Sequence, residues 1–255
     1  MTDAPTAPKA GRRTAAHRVV LAWGPRADRV GALAGQLLAS LEWLRSVPPL
    51  DGKWIAIARL GRTKLPCGSE TEAVRSLGAG AHREGLGIGL PEFFKQTYYL
   101  GSPHRYRARI ELLAGAATVS RGIQAPNRFD LSVRAELSIA ELRQTLVGLV
   151  NVYRPAWAVV GAESFPRIHT ARGTPPVGWI TYFSSWFGPP PALAEPSLVT
   201  PLGRLGWLVQ AFPSDFDASD AEQRRALLVT AKTLRDAGVL KPFEPQPSAA
   251  EARLT

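Results

Sequence analysis

The segments Tyr106-Arg-Ala-Arg-Ile-Glu-Leu112 and Phe129-Asp-Leu-Ser-Val-Arg-Ala-Glu136 decide the fold class. In the first, Tyr106, Ala108, Ile110 and Leu112 alternate with Arg107, Arg109 and Glu111. In the second, Phe129, Leu131, Val133 and Ala135 alternate with Asp130, Ser132, Arg134 and Glu136. A period of two sends successive side chains to opposite faces, so each segment predicts a strand with one apolar and one wet face. The stretch between them, Gly122 to Asn127, is turn-rich, and the two strands are expected to pair antiparallel.

Helices and further strands extend outward from this pair. Ser138-Ile-Ala-Glu141 has the spacing of a capping box, in which the serine oxygen accepts from the N3 amide and the glutamate reaches back to the cap amide. Leu142, Leu146, Leu149 and Val150 give that helix its apolar face, Arg154-Pro155 closes it, and Trp157 to Val160 resumes as a buried strand. Upstream, His17 to Trp23 is a β-rich run stopped by Gly24-Pro25. Val30, Leu33, Ala34, Leu37, Leu38, Leu41 and Leu44 then recur at helical spacing until Pro48-Pro49, and Trp54 to Ala58 is a short strand. Gly178 to Phe183 and Gly206 to Phe212 are two more strands, separated by an exposed proline-rich connection from Pro189 to Pro201. Ser219-Asp-Ala-Glu222 matches a second capping box. It opens a helix with Leu227, Leu228, Ala231 and Leu234, ended by Gly238 in the left-handed conformation. Arg59 to Pro103 reads as a loop-rich insertion, because glycines 78, 80, 85, 87 and 89 interrupt any helix begun at Thr71 to Leu77. The expectation is an α+β fold: a mixed, mainly antiparallel sheet of about seven strands with three long helices packed on it. Residues 17–240 are expected to form a single domain, flanked by a disordered basic tail at 1–16 and a disordered Pro-rich tail at 241–255.

Composition narrows the chemistry. One cysteine, Cys67, excludes an intramolecular disulfide, and four scattered histidines leave no zinc-finger spacing. No run approaches the roughly 18 apolar residues of a membrane span, and the N-terminus lacks the apolar segment of a signal peptide, so a cytoplasmic protein is expected. Ser164 follows a strand but precedes Phe165-Pro166 and lacks the glycine frame of a nucleophile elbow. Gly85 to Gly89 is not followed by the Lys-Ser/Thr of a phosphate loop. No catalytic residue, metal site or cofactor is assigned.

The net charge of +10 favours acidic partners, although arginine-rich composition alone can produce it. One reading is a nucleic-acid or anionic-ligand binding surface, with Arg105, Arg107 and Arg109 beside Tyr98, Tyr99 and Tyr106 to hold phosphates and stack bases. No helix-turn-helix or RNP-like pattern accompanies it, and a solvated strand face explains the same residues.

The string Tyr153-Arg-Pro-Ala-Trp157 and the strand Pro176-Val-Gly-Trp-Ile-Thr-Tyr-Phe183 are similar to the C-terminal half of the immunity protein 52 family of bacterial polymorphic toxin systems, with Trp157, Trp179, Thr181 and Tyr182 matching. The resemblance extends over residues 17–240, its specific motifs lying in 153–183. It implies an α+β, non-enzymatic antidote used in interbacterial competition, including type VI secretion, that binds and neutralises a cognate secreted toxin. That toxin is often a nuclease of the restriction-endonuclease-like class. Charge departs from this pattern, because inhibitors of basic nucleases are usually acidic. The partner surface is therefore expected at exposed aromatic and anionic positions: Trp186 and Phe187 in the 184–190 loop, the acidic residues Asp215, Asp217 and Asp220, and Glu163.

Overall fold

The computed structural model describes residues 17–242 except 25, 27, 58–62, 84–91, 116–126, 163–173, 216 and 218. The expected N-terminal tail, residues 243–255 of the expected C-terminal tail, and the glycines from 85 to 89 lie outside the described residues.

The alternating segments form β6 (Arg105–Ala114) and β7 (Asn127–Val133), paired antiparallel with Ala108 opposite Val133, Ile110 opposite Leu131 and Leu112 opposite Phe129. All six of these side chains are buried on one face, as their period requires, but the expected wet face of β7 is not wet: Asp130 and Ser132 are buried as well, Asp130 in a pair with Arg18. Around them lie β1 (His17–Trp23), β2 (Trp54–Ile57), β3 (Lys64–Pro66), β4 (Ala81–Arg83), β5 (Glu92–Ser102), β8 (Trp157–Ala162), β9 (Ile180–Ser184), β10 (Leu198–Pro201) and β11 (Gly206–Gln210). The sheet runs β10-β11-β9-β8-β1-β7-β6-β5-β2-β3, with β4 attached to β5. Among the described residues eleven strands replace the expected seven or so, and every pairing is antiparallel rather than mixed.

Helices α1 (Val30–Arg45) and α3 (Ile139–Tyr153) pack on each other, and α3 also packs on β1 and β8. α4 (Ala221–Asp236) follows β11. The fourth helix, α2 (Glu70–Ala79), packs against α1 and β5 and corrects the reading of 59–103 as loop. Ser69 caps it by accepting from the Glu72 amide, and Glu70 and Glu72 complement its N-terminal dipole. Gly80 ends the helix rather than preventing it: a Cβ there would lie 2.4 Å from the Lys95 carbonyl oxygen. β5 was hidden for a different reason. Phe94, Gln96, Tyr98 and Leu100 point inward, and the amide of Gln96 breaks the apolar period while donating to the Ile57 carbonyl at 3.1 Å.

The Ser138 capping box is present in both directions. At α4 the cap is Asp220, not Ser219: its Oδ1 accepts from the amides of Glu222 and Gln223, while Ser219 donates to Asp217. The far end of α4 closes as expected, with Gly238 at φ 71° and the Val239 amide returning to the Leu234 carbonyl.

Candidate partner-binding surface

Three consecutive amides at the start of α3 are satisfied by three different parts of the chain. Leu137 N–H donates to His17 Nε2 at 3.3 Å, Ser138 N–H to Glu141 at 2.8 Å, and Ile139 N–H to Asp215 Oδ1 at 2.6 Å. Asp215 therefore ties the acidic segment before α4 to the N-terminus of α3. The same segment is folded back on α4, because Gln223 donates to the Asp215 carbonyl and accepts from the Asp217 amide. Of the acidic residues singled out from sequence, Asp215 and Asp220 cap helices and Asp217 holds the turn between them. Their charges nevertheless stand together at one end of a basic chain.

Trp186 and Phe187 are placed differently from each other. Phe187 is 4% exposed and packs edge-on against Phe183, so it offers no surface. Trp186 is half-buried, with its ring 4.7 Å from that of Phe187 and the Lys241 ammonium 4.4 Å above it. Glu163 lies outside the described residues.

The acidic segment borders a groove of about 540 Å³. One wall is residues 194–197, the other is α4 through Glu222, Arg225, Ala226 and Val229, and Phe212 contributes from the end of β11. These α4 positions recur at i, i+3, i+4 and i+7, so they share a helix face. The buried stripe of α4, Gln223, Leu227, Thr230, Ala231 and Leu234, is a different one. Ser197 joins the two walls through a hydrogen bond to Thr230 at 2.7 Å. Sequence reasoning missed this groove because its lining comes from three separate segments. The local signal was Val229, an apolar residue outside the core-facing stripe; Leu228, expected from sequence on the apolar face, also lies outside that stripe and is exposed. The proline-rich connection also hides a strand, β10, which forms the edge of the sheet beside the groove.

The arginine–tyrosine set does not assemble as one surface. Tyr98 is fully buried and bonded to Ser76, and the Arg107 guanidinium donates to the Asp51 carbonyl at 2.9 Å. A register shift at Leu100/Gly101 breaks the alternation next to Arg107. Tyr99, Tyr106 and Arg109 do meet, joined by Arg134 at 4.0 Å over the Tyr106 ring, with Arg109 paired to Glu111 at 3.3 Å.

Reactive side chains in the core are quenched. Burial pushes the Cys67 thiol up to about 11, and raises the Tyr98 and Tyr153 hydroxyls well above their ordinary range. Ser40 donates to the Tyr153 hydroxyl, tying α1 to α3, and Tyr98 bonds Ser76, tying β5 to α2. Burial also lowers the proton affinity of His17, against the pull of Glu136 and Asp215. Among the described residues no cluster of three metal-ligating side chains occurs, and no helix is long and apolar enough to cross a membrane.

An all-antiparallel sheet carrying its helices in this order defines a class of α+β protein with a solved counterpart. The fold is similar to that of a Pseudomonas aeruginosa T6SS protein, PA0821, with a TM-score of 0.55 and 12% identity, over 88% of this chain and 77% of that one. A search of curated protein sequences returned no match. The family model described as immunity protein 52 matches residues 19–243, and the chain belongs to that family.

Proposed function

We propose that this chain is a non-enzymatic immunity protein that binds a cognate toxin, a secreted nuclease of restriction-endonuclease-like class, and protects the cytoplasm of the producing cell. The family match over residues 19–243 carries the reading. The fold shared with a T6SS protein fits a toxin delivered by type VI secretion. A well-packed core with quenched thiol and phenols suits a protein that works through its surface.

Charge distribution answers the objection raised by a net +10. Between Pro213 and Gln223 the chain carries Asp215, Asp217, Asp220 and Glu222 and no basic residue, a local anionic pole able to steer a basic partner. The test is co-expression of the chain with a toxin domain found encoded next to it. Restored growth together with co-purification is the expected result. Continued killing despite soluble expression of both proteins would overturn the reading, as would substrate turnover by the purified chain. A salt titration against random DNA probes the competing anionic-ligand reading. Tight binding lost steeply between about 50 and 200 mM salt, and abolished by replacing Arg109 and Arg134, would favour that alternative.

A further inference from the structure

We propose that the groove between residues 194–197 and α4 is the toxin-docking site. It would take an apolar side chain against Phe212, Ala226 and Val229, and an adjacent lysine or arginine between Glu195 and Glu222. The proposal rests on the immunity reading and deepens it by naming the surface and the chemistry of the partner.

Two observations lead to this face. First, apolar exposure is concentrated at this end. Of the five exposed large hydrophobic residues described, Val229 lines the groove and Leu198 and Val199 follow directly on its 194–197 wall, which the Ser197–Thr230 bond joins to α4. Within α4, Val229 belongs to the groove stripe with Glu222, Arg225 and Ala226, a stripe the protein's own core does not use. Apolar surface kept at a concave site flanked by charge is the usual composition of a protein-docking patch.

The second observation is electrostatic. Glu195, Glu222 and Arg225 line the groove without an ion-pair partner among the described residues, and the acidic segment from Asp215 to Asp220 connects two of its lining residues, Phe212 and Glu222. The excess is anionic, so the complementary occupant is cationic at its rim and apolar at its tip.

The neighbouring edge strand does not favour recognition by strand addition. Leu202 N–H bonds the Gly206 carbonyl, so by antiparallel alternation Val199 and Pro201 face the open edge. Proline has no N–H to give, leaving Val199 as the outward donor of β10, and a two-donor ladder cannot form there.

The experiment measures binding of the intact chain to the toxin domain encoded beside it, by calorimetry, with melting curves for every variant. Val229→Arg is expected to weaken binding by about tenfold or more without lowering the melting temperature. Glu195→Gln with Glu222→Gln is expected to cost about three- to tenfold at low salt, a deficit that shrinks near 1 M salt, where screening reaches roughly 3 Å. Leu228→Arg, on another face of α4, is expected to stay within about twofold. Should Val229→Arg unfold, Glu195→Lys on the exposed loop decides the matter in its place, with the same loss of binding expected. Wild-type affinity in these groove variants would overturn the groove while leaving the immunity reading intact. A wild-type chain that neither binds the toxin domain nor protects against it would overturn both.

Discussion

The middle of the sheet and its β10–α4 end solve opposite problems. In the middle, β1 is paired on both sides, to β7 and β8, and all its side chains but Arg18 are buried. α3 packs on β1 and β8 and on α1, Tyr153 packs against Trp23 and Phe129, and the Arg18 guanidinium forms a bidentate pair with buried Asp130. At the other end, a four-residue edge strand and a helix leave apolar residues in water and carboxylates crowded together. If the groove is the docking site proposed above, stability and recognition are segregated along one sheet. A surface meant for a partner can keep groups that a core would reject, because the interior that holds it in place lies elsewhere.

Substitutions can break or sharpen this contrast. The largest effect is expected from Phe129→Ala in the middle, where loss of a fully buried ring, its centroid 5.0 Å from that of Tyr153, should cost about 3–5 kcal/mol in denaturant unfolding. Asp220→Ala, at the border between the regions, strips the cap from α4 and should cost about 1 kcal/mol. Acid should act next, through His17. With Nε2 accepting from Leu137, the neutral ring carries its proton on Nδ1, and a second proton would face the Leu137 donor. The unfolded chain takes up that proton near 6.5 and the native chain only at lower pH, so stability should rise with pH across that interval and be lost as pH falls below 6.5. Unfolding midpoints measured above and below that value check it, and His17→Gln should flatten the slope. The smallest effect is expected at the far end, where Val229→Arg and Leu228→Arg, at 45% and 58% exposure, should change stability by no more than about 0.5 kcal/mol. A large melting shift from either would mean that the segregation fails.

Strong periods and side-chain caps made the middle legible from sequence. The alternation around Ile110 and Leu131, the seven apolar positions of α1 and the Ser138 box each carry a local physical signal, and the structure follows them. β5 was lost because one inward residue is a glutamine, and α2 because its glycines were read as breakers when one of them terminates it. β10 disappeared among prolines that are tolerated at an edge. The candidate partner surface was legible only in part. The acidic run is visible in sequence, but its capping work, the burial of Phe187 and the groove itself depend on contacts between residues far apart in the chain.

The central placement of β1 has a consequence for synthesis. Arg18 and Asp130 are 112 positions apart, and the other neighbour of β1, β8, leaves the ribosome later still. β1 is thus among the most central strands of the sheet and must wait for about half of these 255 residues before its first flank can be zipped. Distant closures of this kind slow folding and leave a sticky nascent segment exposed. A truncated product ending near residue 125 would present that strand unpartnered, as a substrate for chaperones or proteases rather than as a smaller working antidote.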